Sequence, residues 1–424
     1  MKVIVIQVDG LQLAALGAYG SVWVETPNLE RLAASSVVFD QHFADVPSAE
    51  GIVHAMHNGR HCFPPMEGER AVARGQSVFE LLIGRKVSCD VSHHGRQSSF
   101  LWEADAAKSS PEYLVPSTEC SMLGTQHSIP GTEHSELGTQ YSVLGTEDLQ
   151  PHLHRLETIE DILVWFKTHL FPPWDVGEDF FAKQCEDWQL EEVLEPWPNP
   201  TSSWFDPNDE ITFARLQRTC AAVVESLDEK IGQWLDVLSQ QPWWPEAMLV
   251  FTAGRGQNLG EHGLVGDFRP WLHEELVHLP LMIRLPHDAE AGRRVFALTQ
   301  TVDIPATILD FFGVVKPEDW HGSSLLPLCR GGAAIRTFAC MGLRIGDASE
   351  YALRTADAGI ILPHKVSPED RPRGPMLFIK PDDRWEVNDL RQPNLEEAEK
   401  LEQMLREYVA ACGFAGEAAG GNSQ

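Results

Sequence analysis

The chain is short of paired cysteines, of positive charge and of long apolar runs, and each shortage removes a class of protein. Its eight cysteines (62, 89, 120, 185, 220, 329, 340 and 412) are scattered, with no C-x-x-C. That usage fits a reduced compartment better than a disulfide framework and offers no zinc-ligand spacing. Lysine and arginine together number 33 against 62 acidic residues, a formal net charge of −29. Such a surplus repels nucleic acid and anionic membrane surfaces, so neither is expected as a partner. The opening apolar run, 3–8, is too short for a signal segment or a membrane span, and no later stretch is long and apolar enough. A cytoplasmic location is therefore the expectation.

What is present is ordinary globular material. Hydrophobic residues make up 43% of the 424, enough for one large α/β core with an appendage. Residues 3–8 form a β-branched run that ends at Asp9-Gly10, as expected of a strand buried on both faces of a parallel sheet. Thr26 and Pro27 read as the cap and first position of a helix, and a short strand is expected at 37–39. Further helices are expected at 49–58, closed by Gly59, at 77–84, at 159–166, at 211–238 with apolar residues three and four apart, and at 304–312. Strands are expected at 248–252 and 281–284. The alternation implies a mainly parallel sheet with helices on both faces. Beyond Gly331 the pattern turns to short strands and a closing helix over 395–409. The expected division is a core over 1–330, a smaller antiparallel-sheet-and-helix subdomain over 331–412, and a frayed tail over 413–424.

Two segments stand apart. Between Cys120 and Glu147 the chain repeats every seven residues as CSMLGTQ, HSIPGTE, HSELGTQ and YSVLGTE. A glycine in each unit and a single apolar position exclude a coiled coil. The segment 105–150 is expected to be a disordered surface insert, since it buries too little apolar area to offset its ordering entropy. Residues 172–208, rich in Trp, Pro and Asp, are expected to form a long irregular connection.

Four segments, in order, carry a family resemblance. VIVIQVDG-LQLAALGAYG with TPNLERLA opens the chain, and LVFTAGRGQNLGEHGLVG precedes LHEELVHLPLMIRLP. TVDIPATILDFFG follows, then YALRT with LFIKPDDRWEVNDL. Together they resemble the sulfatases of the alkaline phosphatase superfamily. The resemblance implies an alkaline phosphatase-like sandwich, a mainly parallel sheet between helical layers, with a small C-terminal α+β subdomain. It also implies paired carboxylates holding a divalent cation, a hard ion suited to oxygen ligands. A Cys or Ser converted to formylglycine would sit at a helix N-terminus in C/S-x-P-S-R, with the arginine steadying it. A lysine after G-E-H-G and a histidine in P-H-x-P would bind the ester.

Set against those positions, this chain departs at nearly every one. Asp9 matches the first metal carboxylate, while Gly10 stands where a second is often found. Counting back from Gly59-Arg60, Ala49 occupies the nucleophile position and Val53 the arginine position. Gly254 and Arg255 replace the Asp and the His or Asn of the second metal turn. Asp267 stands at the lysine position and Phe171 at the P-H-x-P histidine, and only Asp9 and Glu261-His262 look like the family. Alanine has no lone pair with which to attack, and without cation and cationic clamp nothing stabilises the transferring group.

Two readings follow. One is a sulfatase-like pseudoenzyme without a cofactor, binding a small-molecule or protein ligand or serving as a scaffold. The other is an active sulfate or phosphate ester hydrolase using non-standard residues, with calcium or magnesium as cofactor. Within the first, Arg255 is expected to take the metal's place and pair with Asp9. Ser48, Glu50, His54, His57 and His61 flank the old nucleophile position. They read as a Ser–His pair, a metal cluster or histidines on a surface helix. His93-His94 align loosely with a family G-K-W-H, and His262 reads as a structural hydrogen-bonding residue.

Overall fold

A computed structural model describes residues 1–62, 76–93, 96–100, 146–185, 195–206, 209–366 and 373–420. The heptapeptide repeat lies outside the described residues except at its last two positions, 146 and 147, which belong to a helix. Among the described residues, eight strands form the central sheet. Its spatial order is β11 (Arg294–Val295), β2 (Val37–Phe39), β10 (Leu281–Arg284), β8 (Ala247–Thr252), β1 (Lys2–Asp9), β6 (Ile162–His169), β4 (Ser88–His93) and β5 (Arg96–Phe100). The pairs β8–β1, β1–β6 and β6–β4 are parallel, whereas β10 runs antiparallel to both neighbours. The central β1 is wholly apolar from Val3 to Ile6 because helices cover both of its faces.

Alternation along β1 divides the core. Ile4, Ile6 and Val8 face one layer, built on α1 (Pro27–Ala34), α4 (Thr146–Thr158) and α6 (Glu210–Ser239), with α5 (Glu178–Cys185) packed on α6. Val3 and Val5 face the other, built on α2 (Ala49–Asn58), α3 (Val78–Ile83) and α8 (Asp303–Phe311). Each fully buried aliphatic side chain here contributes roughly 1.5–3 kcal/mol relative to exposure. Because side chains alternate, Gln7 and Asp9 fall on the Val3–Val5 face, toward α2.

Small pairings fasten the loops. β3 (His42–Phe43) pairs with β12 (Thr299–Gln300), and β7 (Ser203–Trp204) pairs with β9 (Leu264–Val265). The short helices α7 (Glu274–Val277) and α9 (Leu326–Cys329) close turns beside them. The C-terminal sheet is an antiparallel meander of β13 (Ala339–Ile345), β14 (Ala348–Arg354), β15 (Ala358–Lys365) and β16 (Met376–Ile379). One of its faces packs on the core through Met341, Ala352 and Phe378 against Leu272 and Leu276. The other is covered by α10 (Leu395–Gly420) through Ala398, Leu401 and Leu405.

Four expectations change. The segment expected to be a helix over 159–166 is instead β6, central in the sheet: Ile162 to Phe166 are buried on both faces, and a continuous apolar run of that length suits strand and helix alike. The final helix does not stop near 409 but continues to Gly420 through an alanine-rich stretch, alanine being the best helix former. It therefore occupies most of the expected tail. Residues 178–185, expected to be irregular, are helical. Thr26 makes no side-chain cap; its hydroxyl accepts from Gly17 N–H, and the Asp228 carboxylate on α6 accepts from Asn28 and Leu29 N–H instead.

Candidate functional site

Asp9 ends β1 at the carboxyl edge of the parallel strands, where open α/β sheets gather their functional groups. It is 4% exposed, and its carboxylate is surrounded by donors. Gln7 Nε2 donates to both oxygens (2.8 and 3.1 Å), and Gly254 N–H donates to Oδ1 (2.7 Å). Lys167 Nζ lies 3.4 Å from Oδ2. The Trp165 indole N–H fixes Gln7 by donating to its Oε1 (3.0 Å). Strand register explains the grouping: Gln7 pairs with Lys167 and Val5 with Trp165, all on one face.

Arg255 does not meet Asp9. Its side chain turns over the Phe171 ring, 5.0 Å from the centroid, and forms an ion pair with Asp267. Backbone geometry causes the divergence, because Gly10 N–H donates to the Arg255 carbonyl at 2.8 Å and commits that backbone toward β1. Asn258 Nδ2 also donates to Asp267. Gln257 Nε2 donates to the carbonyls of Gly10 and Leu170, tying the turn to the strand ends. The expected Asp9–Arg255 pair is thus replaced by two separate pairs, Asp9–Lys167 and Arg255–Asp267.

Ala49 is the first residue of α2 and is exposed, and Val53 lies one turn further on. The Ser48 hydroxyl caps the helix by accepting from Gly51 N–H (3.1 Å), so it is occupied in a structural role. The histidines are dispersed rather than clustered. His57 packs edge-on against Phe79 and Trp165, and burial, with the Lys167 charge adding and Asp9 opposing, pushes it down to about 3. His54 is lowered by burial, and its Nε2 has no partner among the described residues. His61 lies beyond the helix and bonds Asp45 at 2.7 Å. His57 is therefore half-buried against Phe79 and Trp165 rather than free on the helix, and among the described residues no His pairs with Ser48. His93 ends β4, and His94 lies outside the described residues.

The residues present do not fit a divalent cation. Among the described residues Asp9 is the one carboxylate at the strand ends, both its oxygens already accept from protein donors, and Asp267 is committed to Arg255 and Asn258. A Cβ at Gly254 would lie 2.7 Å from Ile52 Cγ2 and 2.8 Å from Asp9 Oδ1, and one at Gly10 would lie 2.9 Å from Phe171 Cε1. Ile52 and Phe171 thus fill the space that ligand side chains at those positions would need. Among the described residues, no group of three His, Cys, Asp or Glu side chains is placed to hold a metal.

His262 belongs to a second polar cluster, between the loop after β9 and the C-terminal sheet. Its Nδ1 bonds Glu275 at 2.8 Å and its Nε2 donates to the Glu386 carbonyl at 3.2 Å. Burial opposes its charge, but the Glu275 hydrogen bond and the charges of Glu275 and Glu386 prevail, raising it to about 9. Beneath it, Arg354 and Lys380 bind the buried Glu274 and Glu386. Sequence reasoning singled out His262 but missed this cluster, and it missed Lys167 because 159–166 read as helix. Strand alternation through Leu163, Trp165 and Lys167 carries the signal that would have found it.

Comparisons agree with this architecture. Residues 260–337 match the profile of the N-sulphoglucosamine sulphohydrolase C-terminal family. An N-acetylglucosamine-6-O-sulfatase of Bacteroides thetaiotaomicron is 35% identical over 116 residues, 27% of this chain and 20% of that protein. A choline-sulfatase of Rhizobium meliloti is 31% identical over 130 residues, 30% of this chain and 24% of that protein. The matches thus span about a fifth to a quarter of those relatives. A solved protein in complex with its substrate D-glucosamine-2-N,6-O-disulfate superposes with a TM-score of 0.68 at 17% identity, covering 96% of this chain and 97% of that one. The phosphonate monoester hydrolase of Agrobacterium radiobacter gives 0.65 at 16% identity, with 96% of each chain covered. The chain thus matches sulfatases over residues 260–337 and over short segments, and along nearly its whole length it has the alkaline phosphatase-like fold of these solved structures.

Proposed function

We propose that this sulfatase-like protein does not hydrolyse sulfate esters and acts as a binding or scaffold protein that needs no divalent cation. The observation that supports this reading best is the state of Asp9. Its carboxylate, the retained metal position, is neutralised by Lys167 and saturated by Gln7 and Gly254 N–H. An ammonium in place of a metal supplies charge but no Lewis acidity and no activated water. Ala49 brings no nucleophile, and Ser48 spends its hydroxyl on a helix cap.

The alternative, an ester hydrolase, draws its support from the relatives, which are sulfatases by name. It requires a nucleophile and a charge-stabilising group at positions other than those the family uses. The test is a hydrolysis assay of the purified protein with p-nitrophenyl sulfate and p-nitrophenyl phosphate, with and without added calcium or magnesium. No turnover above a protein-free blank fits the proposal. Turnover above it refutes the proposal, and its abolition by Lys167→Met makes Lys167 part of a new active site.

A further inference from the structure

The cluster around His262 borders a cavity of about 230 Å³ between the core and the C-terminal sheet. Its wall includes His262, His273 and Trp271 from the core and Phe378, Glu386 and Asp389 from the C-terminal subdomain. At about 30 Å³ per water it has room for roughly eight waters, so it suits a fragment rather than a large ligand.

The donors and acceptors on this wall are unequally committed. Both His262 ring nitrogens are engaged, and Arg373, stacked 3.6 Å over Trp271, pairs with Glu350. The Trp271 indole N–H has no partner among the described residues, but it is sealed away from solvent-accessible space. The acceptor side differs. His273 is 3% exposed and stacks on His262 with centroids 4.0 Å apart, and its Nδ1 bonds Glu386 Oε2 at 2.9 Å. With the Nδ1 proton given to that carboxylate, the neutral ring presents the lone pair of Nε2. Nε2 makes no hydrogen bond among the described residues and is not sealed from the cavity that His273 lines. Asp389 spends Oδ1 on the N–H groups of Leu377 and Arg391, and its other oxygen has no partner among the described residues.

The wall is built rather than incidental. Glu386 holds the left-handed conformation, φ 61°, uncommon for a residue with a side chain. In that conformation its carboxylate anchors His273, Arg354 and Lys380 while its carbonyl anchors His262.

We infer that this cavity binds a small primary amine in its ammonium form. Its N–H groups would be donated to His273 Nε2 and the Asp389 carboxylate, and its apolar body would lie on Phe378, Met376 and Val387. The cationic groups of the wall are already paired, His262 with Glu275 and Arg373 with Glu350, and Glu386 is paired with Arg354 and Lys380. The wall charge left without an ion-pair partner among the described residues is the Asp389 carboxylate, which favours a cation over an anion. The need for N–H donors distinguishes it from a quaternary ammonium. The site is separate from Asp9, so this inference stands whether or not the protein hydrolyses esters.

Calorimetric titration of the full chain with benzylamine tests it, with benzyl alcohol, benzoate and tetramethylammonium as comparison probes. Benzylamine is expected to bind at least about tenfold more tightly than each of the others. Asp389→Asn keeps an oxygen for the two backbone donors and is expected to weaken benzylamine about tenfold. Val387→Trp, at a position 76% exposed on the rim, fills the cavity and should remove binding without unfolding the protein. Absence of benzylamine binding to the folded wild type, equal binding of benzyl alcohol, preference for benzoate, or indifference to both substitutions overturns it.

Discussion

Arg255 and Asp267 form an ion pair, and they occupy the positions where the family resemblance places a metal ligand and a lysine. Two substitutions that would each leave a charge without a partner instead compensate one another. Asp9 finds its own cation in Lys167, on the neighbouring strand. The strand ends thus hold two ion pairs, with Ile52 and Phe171 packed beside the turn. Each half of that description is open to measurement.

The Arg255–Asp267 pair is partly buried, with side-chain exposures of 15% and 29%. Arg255→Ala and Asp267→Ala should each destabilise the fold by about 1 kcal/mol, and the double variant by less than their sum. Asp9→Asn combined with Arg255→Ala should be additive. Urea denaturation of the full set checks this, and coupling between positions 9 and 255 larger than that between 255 and 267 would contradict the pairing.

Lys167→Met removes the cation that, among the described residues, lies beside the buried Asp9 carboxylate. A loss of about 2–3 kcal/mol is expected in urea denaturation. The same change in an Asp9→Asn background should cost markedly less, because no charge is then left behind. Equal losses in the two backgrounds would show that Lys167 acts through packing alone.

Gly254→Ala places a methyl group against Ile52 and Asp9. Overpacking of this kind costs about 1–3 kcal/mol, and Ile52→Ala should return part of it. If Gly254→Ala is neutral in thermal melts, the turn is not filled as described and an aspartate at 254 becomes admissible.

Two histidines give opposite pH signatures. His57, held at about 3, stays neutral in the folded state while the unfolded chain takes up its proton near 6.5. Its contribution is complete above about pH 6.5 and is lost as pH falls toward 3. His262, raised to about 9, contributes fully below about pH 6.5, and that contribution is lost as pH rises through 9. Melting temperatures across pH should lose the acid limb in His57→Leu and the alkaline limb in His262→Gln. Retention of either limb in its variant assigns that limb to another group.

The scaffold was legible because apolar runs such as 3–8 and periodic stretches such as 211–238 admit one reading each. The run before Lys167 did not. Its apolar residues satisfy helix and strand alike, and only pairing with β1 on one side and β4 on the other decides between them. The departures from the resemblance's pattern at 49, 53, 254 and 267 were visible residue by residue, yet where each side chain points was not. Arg255 follows a strand expected to lie beside that of Asp9, which suggests a pair, but its carbonyl is bound to Gly10 N–H and its side chain leaves over Phe171. The cluster beneath His262 joins residues more than a hundred positions apart, such as His273 and Glu386, so no local pattern carries it.

The most direct test of a cation-free Asp9 is elemental analysis of the purified protein for calcium and magnesium, joined to thermal melts with and without each ion. The expected result is far less than one divalent ion per chain and a melting temperature that neither ion shifts. A tightly held ion near one per chain, with stabilisation that follows its concentration, contradicts the pairing of Asp9 with Lys167.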